Sequence, residues 1–183
     1  MPFASAPVPR RWLGLIGKEH GANKSRGKKQ VYNPEEEAEK AIYRSENGKI
    51  YHPSEHILGA LIKGGVAFKF EGKKTYKDCM KAGVVVEPEC IPLLDKDGKQ
   101  FKTWDEIDAR NVVIQRARVI RWRPRFNDWK MAFTISIIDE DNIPVSTLKD
   151  ILERAGTIGI GDYRPRFGRF QVTKFQEADN GKV

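Results

Sequence analysis

The sequence predicts an α+β domain of ferredoxin-like (RRM-like) order, an antiparallel sheet with helices on one face. Three observations carry this. Trp129, Met131, Phe133, Ile135 and Ile137 alternate with Lys130, Ala132, Thr134 and Ser136, the two-residue period of a half-buried strand. Leu148, Ile151, Leu152 and Ala155 fall at i, i+3, i+4 and i+7, one buried helical stripe. Strand, strand, helix, loop, strand in the C-terminal half, preceded by strand and helix, is the order of that sandwich. The 183 residues suit a single domain spanning 1–183.

The elements follow in order. Trp12-Leu13-Gly14-Leu15-Ile16 can pack as a short strand. Residues 17–34 are glycine-rich, carry Lys24, Arg26, Lys28 and Lys29, and lack aspartate. They read as a flexible basic loop, either an arm that closes on a polyanion or a solvated surface loop. Asn33-Pro34 opens a short helix with Glu35, Glu36 and Glu37 in its first turn, where the helix dipole favours acids. Residues 48–51 are a turn and a short extended piece. Ser54 is the expected N-cap of a helix whose buried stripe is Ile57, Leu58, Leu61 and Ile62. Gly59 and Ala60 would let it approach another backbone, and Gly64-Gly65 would end it.

Residues 66–110 read as an insertion that can protrude. Within it, residues 75–82 suggest a short helix stopped by Gly83, and Val84-Val85-Val86 a short buried strand. Asp95-Lys96-Asp97-Gly98-Lys99 is a turn between 91–94 and 101–104, hence a hairpin. Residues 111–126 read as one strand on which Arg121, Arg123 and Arg125 share a side. A turn at Asn127-Asp128 would pair it antiparallel with 129–137. Residues 139–142 form a polar turn, Ser146 caps the helix over 147–155, and Phe170, Val172 and Phe175 mark a closing strand. Residues 177–183 are expected to be a disordered tail.

Lys and Arg number 33 against 25 Asp and Glu, a net charge of +8, and that excess favours a polyanionic partner. Cys79 and Cys90 lack CxxC spacing, and His20, His52 and His56 complete no zinc pattern. No metal and no cofactor is therefore expected. With no signal-peptide layout and no run near the ~18 apolar residues of a membrane span, a cytoplasmic protein with no membrane partner is expected. The richest stretch is Ile158-Gly159-Ile160-Gly161-Asp162-Tyr163-Arg164-Pro165-Arg166-Phe167-Gly168-Arg169-Phe170. Its glycines permit close approach, its arginines match phosphate geometry, and its aromatics can stack bases. It reads as a loop that holds a nucleic-acid backbone. Trp122 is a further stacking candidate. His52 and His56 are either a general acid and base or ordinary residues at a helix start.

Residues 43–63, Tyr43-Arg44-Ser45-Glu46-Asn47-Gly48-Lys49-Ile50-Tyr51-His52-Pro53-Ser54-Glu55-His56-Ile57-Leu58-Gly59-Ala60-Leu61-Ile62-Lys63, resemble the "pTGkPYIPGSSLKGALR" segment of the RAMP superfamily. These are the ferredoxin-like RNA-binding proteins of CRISPR systems. Gly159-x-Gly161-x-x-Arg164-x-x-Phe167-Gly168-Arg169-Phe170 looks like that family's glycine-rich loop. The resemblance covers about two-thirds of the chain and points to the small backbone subunits that polymerise along guide RNA in type III-like effector complexes. Two departures stand out. The family's Pro-Gly-Ser-Ser is Pro53-Ser54-Glu55-His56 here, and Phe167 stands where glycine is usual. In the RNA-cutting backbone subunits an aspartate in the first basic loop supports cleavage. Residues 17–33 have none, only Glu19, a departure that weighs against carrying cleavage over.

The resemblance implies an RNA-binding, non-catalytic subunit in a ribonucleoprotein of antiviral defence. Its partners would be guide RNA, target RNA or single-stranded DNA, other effector subunits, and further copies of itself along the strand. The expected binding residues are Lys24, Arg26, Lys28, Lys29, Ser54, His56, Lys63, Arg121, Arg123, Arg125, Gly159, Gly161, Tyr163, Arg164, Arg166, Phe167, Gly168 and Arg169. One alternative is an endoribonuclease of the same superfamily using His20, His52 or His56. Another is a basic interaction protein for single-stranded nucleic acid or an acidic partner.

Overall fold

The computed structural model describes residues 33–177. They form a mixed α/β structure of four helices and three small antiparallel sheets. The expected strand at 12–16, the loop residues 17–32 and the tail residues 178–183 lie outside the described residues.

Helix α1 (Pro34–Lys40) begins as its sequence dictates. The Asn33 side chain accepts from the Glu35 amide at 3.1 Å, and proline takes the first position. Strands β1 (Tyr43–Arg44) and β2 (Ile50–Pro53) pair across a turn at Gly48. They lead into α2 (Ser54–Gly65). Short helix α3 (Lys77–Ala82) ends at Gly83 and feeds β3 (Val84–Glu87). Strand β4 (Cys90–Pro92) then returns to pair with β2. Strands β5 (Glu106–Ile114) and β6 (Ala117–Arg125) form a hairpin. Strand β7 (Thr134–Ile137) pairs with β3, and α4 (Val145–Ile158) follows.

The core is the meeting of α2, α3, α4 and the β3–β7 pair. Ile57 and Leu61 of α2, Met80 of α3, Ile91 of β4, Ile143 just before α4 and Ile151 within it are fully buried. Each such side chain contributes roughly 1.5–3 kcal/mol relative to exposure. Val84 and Val86 point inward while Val85 points out, the alternation of a strand with one buried face. Leu148, Leu152 and Ala155 complete the stripe read from the sequence. Trp129, Met131, Phe133, Ile135 and Ile137 pack half-buried against the same cluster.

Several expectations are corrected. Helix α2 does approach a neighbouring backbone, but at Gly64, where a Cβ would stand 2.8 Å from the Ile151 carbonyl oxygen of α4; Gly59 faces open space. Pro53 and Pro144, and not Ser54 and Ser146, occupy the N-cap positions of α2 and α4. Much of the 66–110 segment does not protrude, because Met80, Val84, Val86 and Ile91 belong to the core. The alternating strand pairs with β3 in the register Val84↔Ile137 and Val86↔Ile135, and not with the arginine strand. Phe170, Val172 and Phe175 pack against the core but lie in no strand.

The Asp95–Lys99 turn forms as read. The Asp95 carboxylate accepts from the Asp97 and Lys99 amides, each at 2.9 Å, so the turn itself employs that carboxylate. Residues 111–126 are not one strand. The chain reverses at Gln115 and Arg116, which take φ of 47° and 69°. Two consecutive positive φ values are the requirement of a type I′ hairpin turn, which favours Asn-Gly. Replacing Gln115→Asn together with Arg116→Gly is expected to raise stability by about 1 kcal/mol. Denaturant unfolding measures it.

Candidate nucleic-acid interface

The glycine-rich segment after α4 closes on itself. Gly159 has φ +83° and its amide donates to the Ala155 carbonyl at 2.8 Å, ending the helix. The Ile160 amide then donates to the Gly168 carbonyl at 2.9 Å, and the Phe170 amide to the Gly156 carbonyl at 3.1 Å. A Cβ on Gly159 would meet the Gly168 backbone at 2.9 Å, and one on Gly161 would meet the Gly168 nitrogen at 3.1 Å. Gly159, Gly161 and Gly168 therefore permit backbone to lie on backbone at the neck of a loop. The close approach expected of these glycines is made to the loop's own backbone, which shuts the loop around residues 162–167.

The presented residues meet the β5–β6 hairpin. The register sets Arg110 opposite Arg121, Asp108 opposite Arg123 and Glu106 opposite Arg125, so all six share one face. Tyr163 and Phe167 lie over that face. The Arg110 guanidinium is 4.8 Å from the Phe167 ring centre and 5.5 Å from that of Tyr163, and Arg125 is 5.8 Å from Phe167. Cations over ring faces are attracted by the ring quadrupole. Asp162 pairs with Arg123, fastening the loop to the hairpin.

Arg121, Arg123 and Arg125 do share a side, but each has a carboxylate: Glu37 at 3.6 Å, Asp162, and Glu106 at 3.3 Å. Arg110 holds Asp108 at 2.7 Å and Arg44 holds Glu39. Arg154, Arg164, Arg166 and Arg169 differ. Among the described residues none of these four has a carboxylate within 4.0 Å, and neither have Arg116 and Arg118 at the far end of the hairpin. Arg169 donates through Nε to the Pro165 carbonyl at 2.7 Å, which orients its fork. Arg154, Arg164 and Arg169, with Thr157, Ile158 and Pro165, line one open cleft of about 520 Å³. Arg154 and Arg110 were missed in the sequence, where each looked like an ordinary charged surface position.

The histidines lie near this cleft. His56 Nδ1 and His52 Nε2 are 3.1 Å apart, one nitrogen donating to the other, and the Tyr43 ring meets His56 edge-on at 5.6 Å. Burial lowers the His52 pKa to about 4, with the neighbouring His56 acting in the same direction. Burial also lowers that of His56. Glu55 opposes this and the Arg164 guanidinium adds to it. Helix α2 thus brings its first turn within electrostatic reach of the arginine loop. Ser54 is buried and its amide donates to the Glu89 carbonyl at 2.9 Å. Lys63 is exposed about two turns further along α2. Lys24, Arg26, Lys28, Lys29 and His20 lie outside the described residues.

Among the described residues no group of three or more His, Cys, Asp or Glu side chains is placed to hold a metal ion. No helix among them is long and apolar enough to cross a membrane. Comparison with protein-family models, with curated proteins and with solved structures finds no match to this chain.

Proposed function

We propose that this protein is an RNA-binding, non-catalytic subunit of a CRISPR-type ribonucleoprotein effector, holding guide RNA through its glycine–arginine loop. One observation carries the reading: Arg110, Arg121, Arg123 and Arg125 of the hairpin each meet a carboxylate, while Arg164, Arg166 and Arg169, at or beside the closed loop, meet none among the described residues. Unpaired guanidiniums on a backbone-stapled loop are donors set for phosphate. The net charge of +8 agrees. Helices α2 and α4 share one core with the β3–β7 pair, a mixed α/β arrangement with which the ferredoxin-like plan of this reading is compatible. In this reading further copies and other effector subunits sit along the same strand. A histidine nuclease is the weaker reading, because a His52 pKa of about 4 makes a poor base at neutral pH.

Anisotropy of labelled single-stranded RNA tests the proposal. With three phosphate contacts, affinity is expected to fall roughly 20-fold between about 50 and 200 mM salt. Arg164→Gln is expected to weaken binding about fivefold to tenfold and to flatten the salt slope by about 0.7. An affinity indifferent to salt sinks the proposal. A parallel titration with single-stranded DNA of the same sequence decides which strand chemistry the loop prefers.

A further inference from the structure

We infer that the cleft between α4 and the loop is a receptor for a terminal phosphomonoester of a nucleic-acid strand. The inference rests on the RNA-binding reading above and names what this part of the surface takes. Arg154 of α4 and Arg164 and Arg169 of the loop line one open cleft of about 520 Å³, so three arginines border a single space. The acids nearest them in sequence are engaged elsewhere: Glu153 pairs with Lys149 at 3.9 Å and Asp162 with Arg123. The cleft therefore concentrates positive charge with no internal counter-ion among the described residues.

An internal phosphodiester brings a single charge and two free oxygens. A terminal monoester brings about −1.5 to −2 charges at neutral pH and three strong acceptor oxygens. Three planar donors match the second far better than the first. Ile158 and Pro165 give the same cleft an apolar wall, suited to the sugar or base that follows the phosphate. The carboxyl end of α4 opposes an anion, an effect of about fivefold or less in affinity at an exposed terminus that three guanidiniums outweigh, and three of the carbonyls in its last turn are occupied. Ala155 accepts from Gly159, Gly156 from Phe170, and Arg154 from the Thr157 hydroxyl at 2.8 Å.

The test uses the full chain and one labelled single-stranded RNA in three forms: 5′-phosphorylated, 3′-phosphorylated, and hydroxyl at both ends. One phosphorylated form is expected to bind about tenfold tighter than the hydroxyl form, and which one assigns the end. Millimolar inorganic phosphate is expected to remove the difference, and Arg154→Gln to abolish it. Equal affinity of all three RNAs overturns the inference and leaves the RNA-binding reading standing. So does a preference that survives Arg154→Gln. Failure of all three to bind overturns both.

Discussion

Replacing Gly168 with alanine is expected to cost about 3 kcal/mol or more and to open the arginine loop. Two effects add. Gly168 has φ +75°, and an L-residue in that region costs about 1–2 kcal/mol. The new Cβ would overlap the Gly161 nitrogen and stand 2.6 Å from the Gly161 Cα. Both obstacles are backbone, held by the Ile160 amide on the Gly168 carbonyl, so no flexible side chain can move aside. Gly48→Ala is the matched control: its φ is +70°, yet a Cβ there meets nothing within 4 Å. The control is expected to pay only for the dihedral. The loop neck joins the core only at its edge, through Ile160 and Phe170, so Gly168→Ala should leave a folded but less stable protein whose Ile160 and Phe170 amides exchange faster. RNA affinity should fall with the presentation of Arg164, Arg166 and Arg169. Thermal unfolding, amide exchange and RNA anisotropy, each compared with Gly48→Ala, read these outcomes. Equal behaviour of the two variants would remove the loop neck from the account.

How much of this was legible in the sequence depends on the range of the signal. Helices α1, α2 and α4 were, since period and first-turn residues are local: Asn33-Pro34 opens α1, and Leu148, Ile151, Leu152 and Ala155 mark one face. Alternation over 129–137 revealed a face and not a partner, because the period of a strand is the same whichever strand it pairs with. That partner is β3, some fifty residues earlier, as the Ser136↔Val85 register shows. The hairpin turn was hidden because Gln115 and Arg116 are not residues that advertise positive φ. Within the site, the arginines and glycines were visible as types. What each meets was not. Asp162 finds Arg123, Glu37 finds Arg121, and Gly168 lies on Gly161. Those long-range meetings separate neutralised arginines from available ones, and they bring Arg154 into the cleft.

Acidification from pH 6.5 to 4 is expected to remove roughly 2–3 kcal/mol of stability through His52 alone. Burial lowers the folded-state pKa from 6.5 to about 4, so the unfolded chain takes up this proton first. Between those values the unfolded state binds more protons than the native state, and stability therefore falls as pH falls. Above pH 6.5 both states are neutral at this site and His52 contributes no slope. Below the folded pKa both are charged and the slope vanishes again. His56 is lowered in the same direction, mainly by burial, with Arg164 adding and Glu55 opposing. His52→Gln keeps a polar partner for His56 Nδ1 and cannot titrate, so subtracting its pH profile from that of the parent isolates the term from the carboxylates common to both. Denaturant unfolding at half-unit steps of pH measures the difference, and parallel profiles would refute it. The same physics bears on the interface: protonating both rings leaves two donors facing each other across their 3.1 Å contact, and a proton on either sets a cation within electrostatic reach of Arg164. At neutral pH the pair is uncharged, so the proposed phosphate binding would rest on guanidiniums whose charge does not vary with pH.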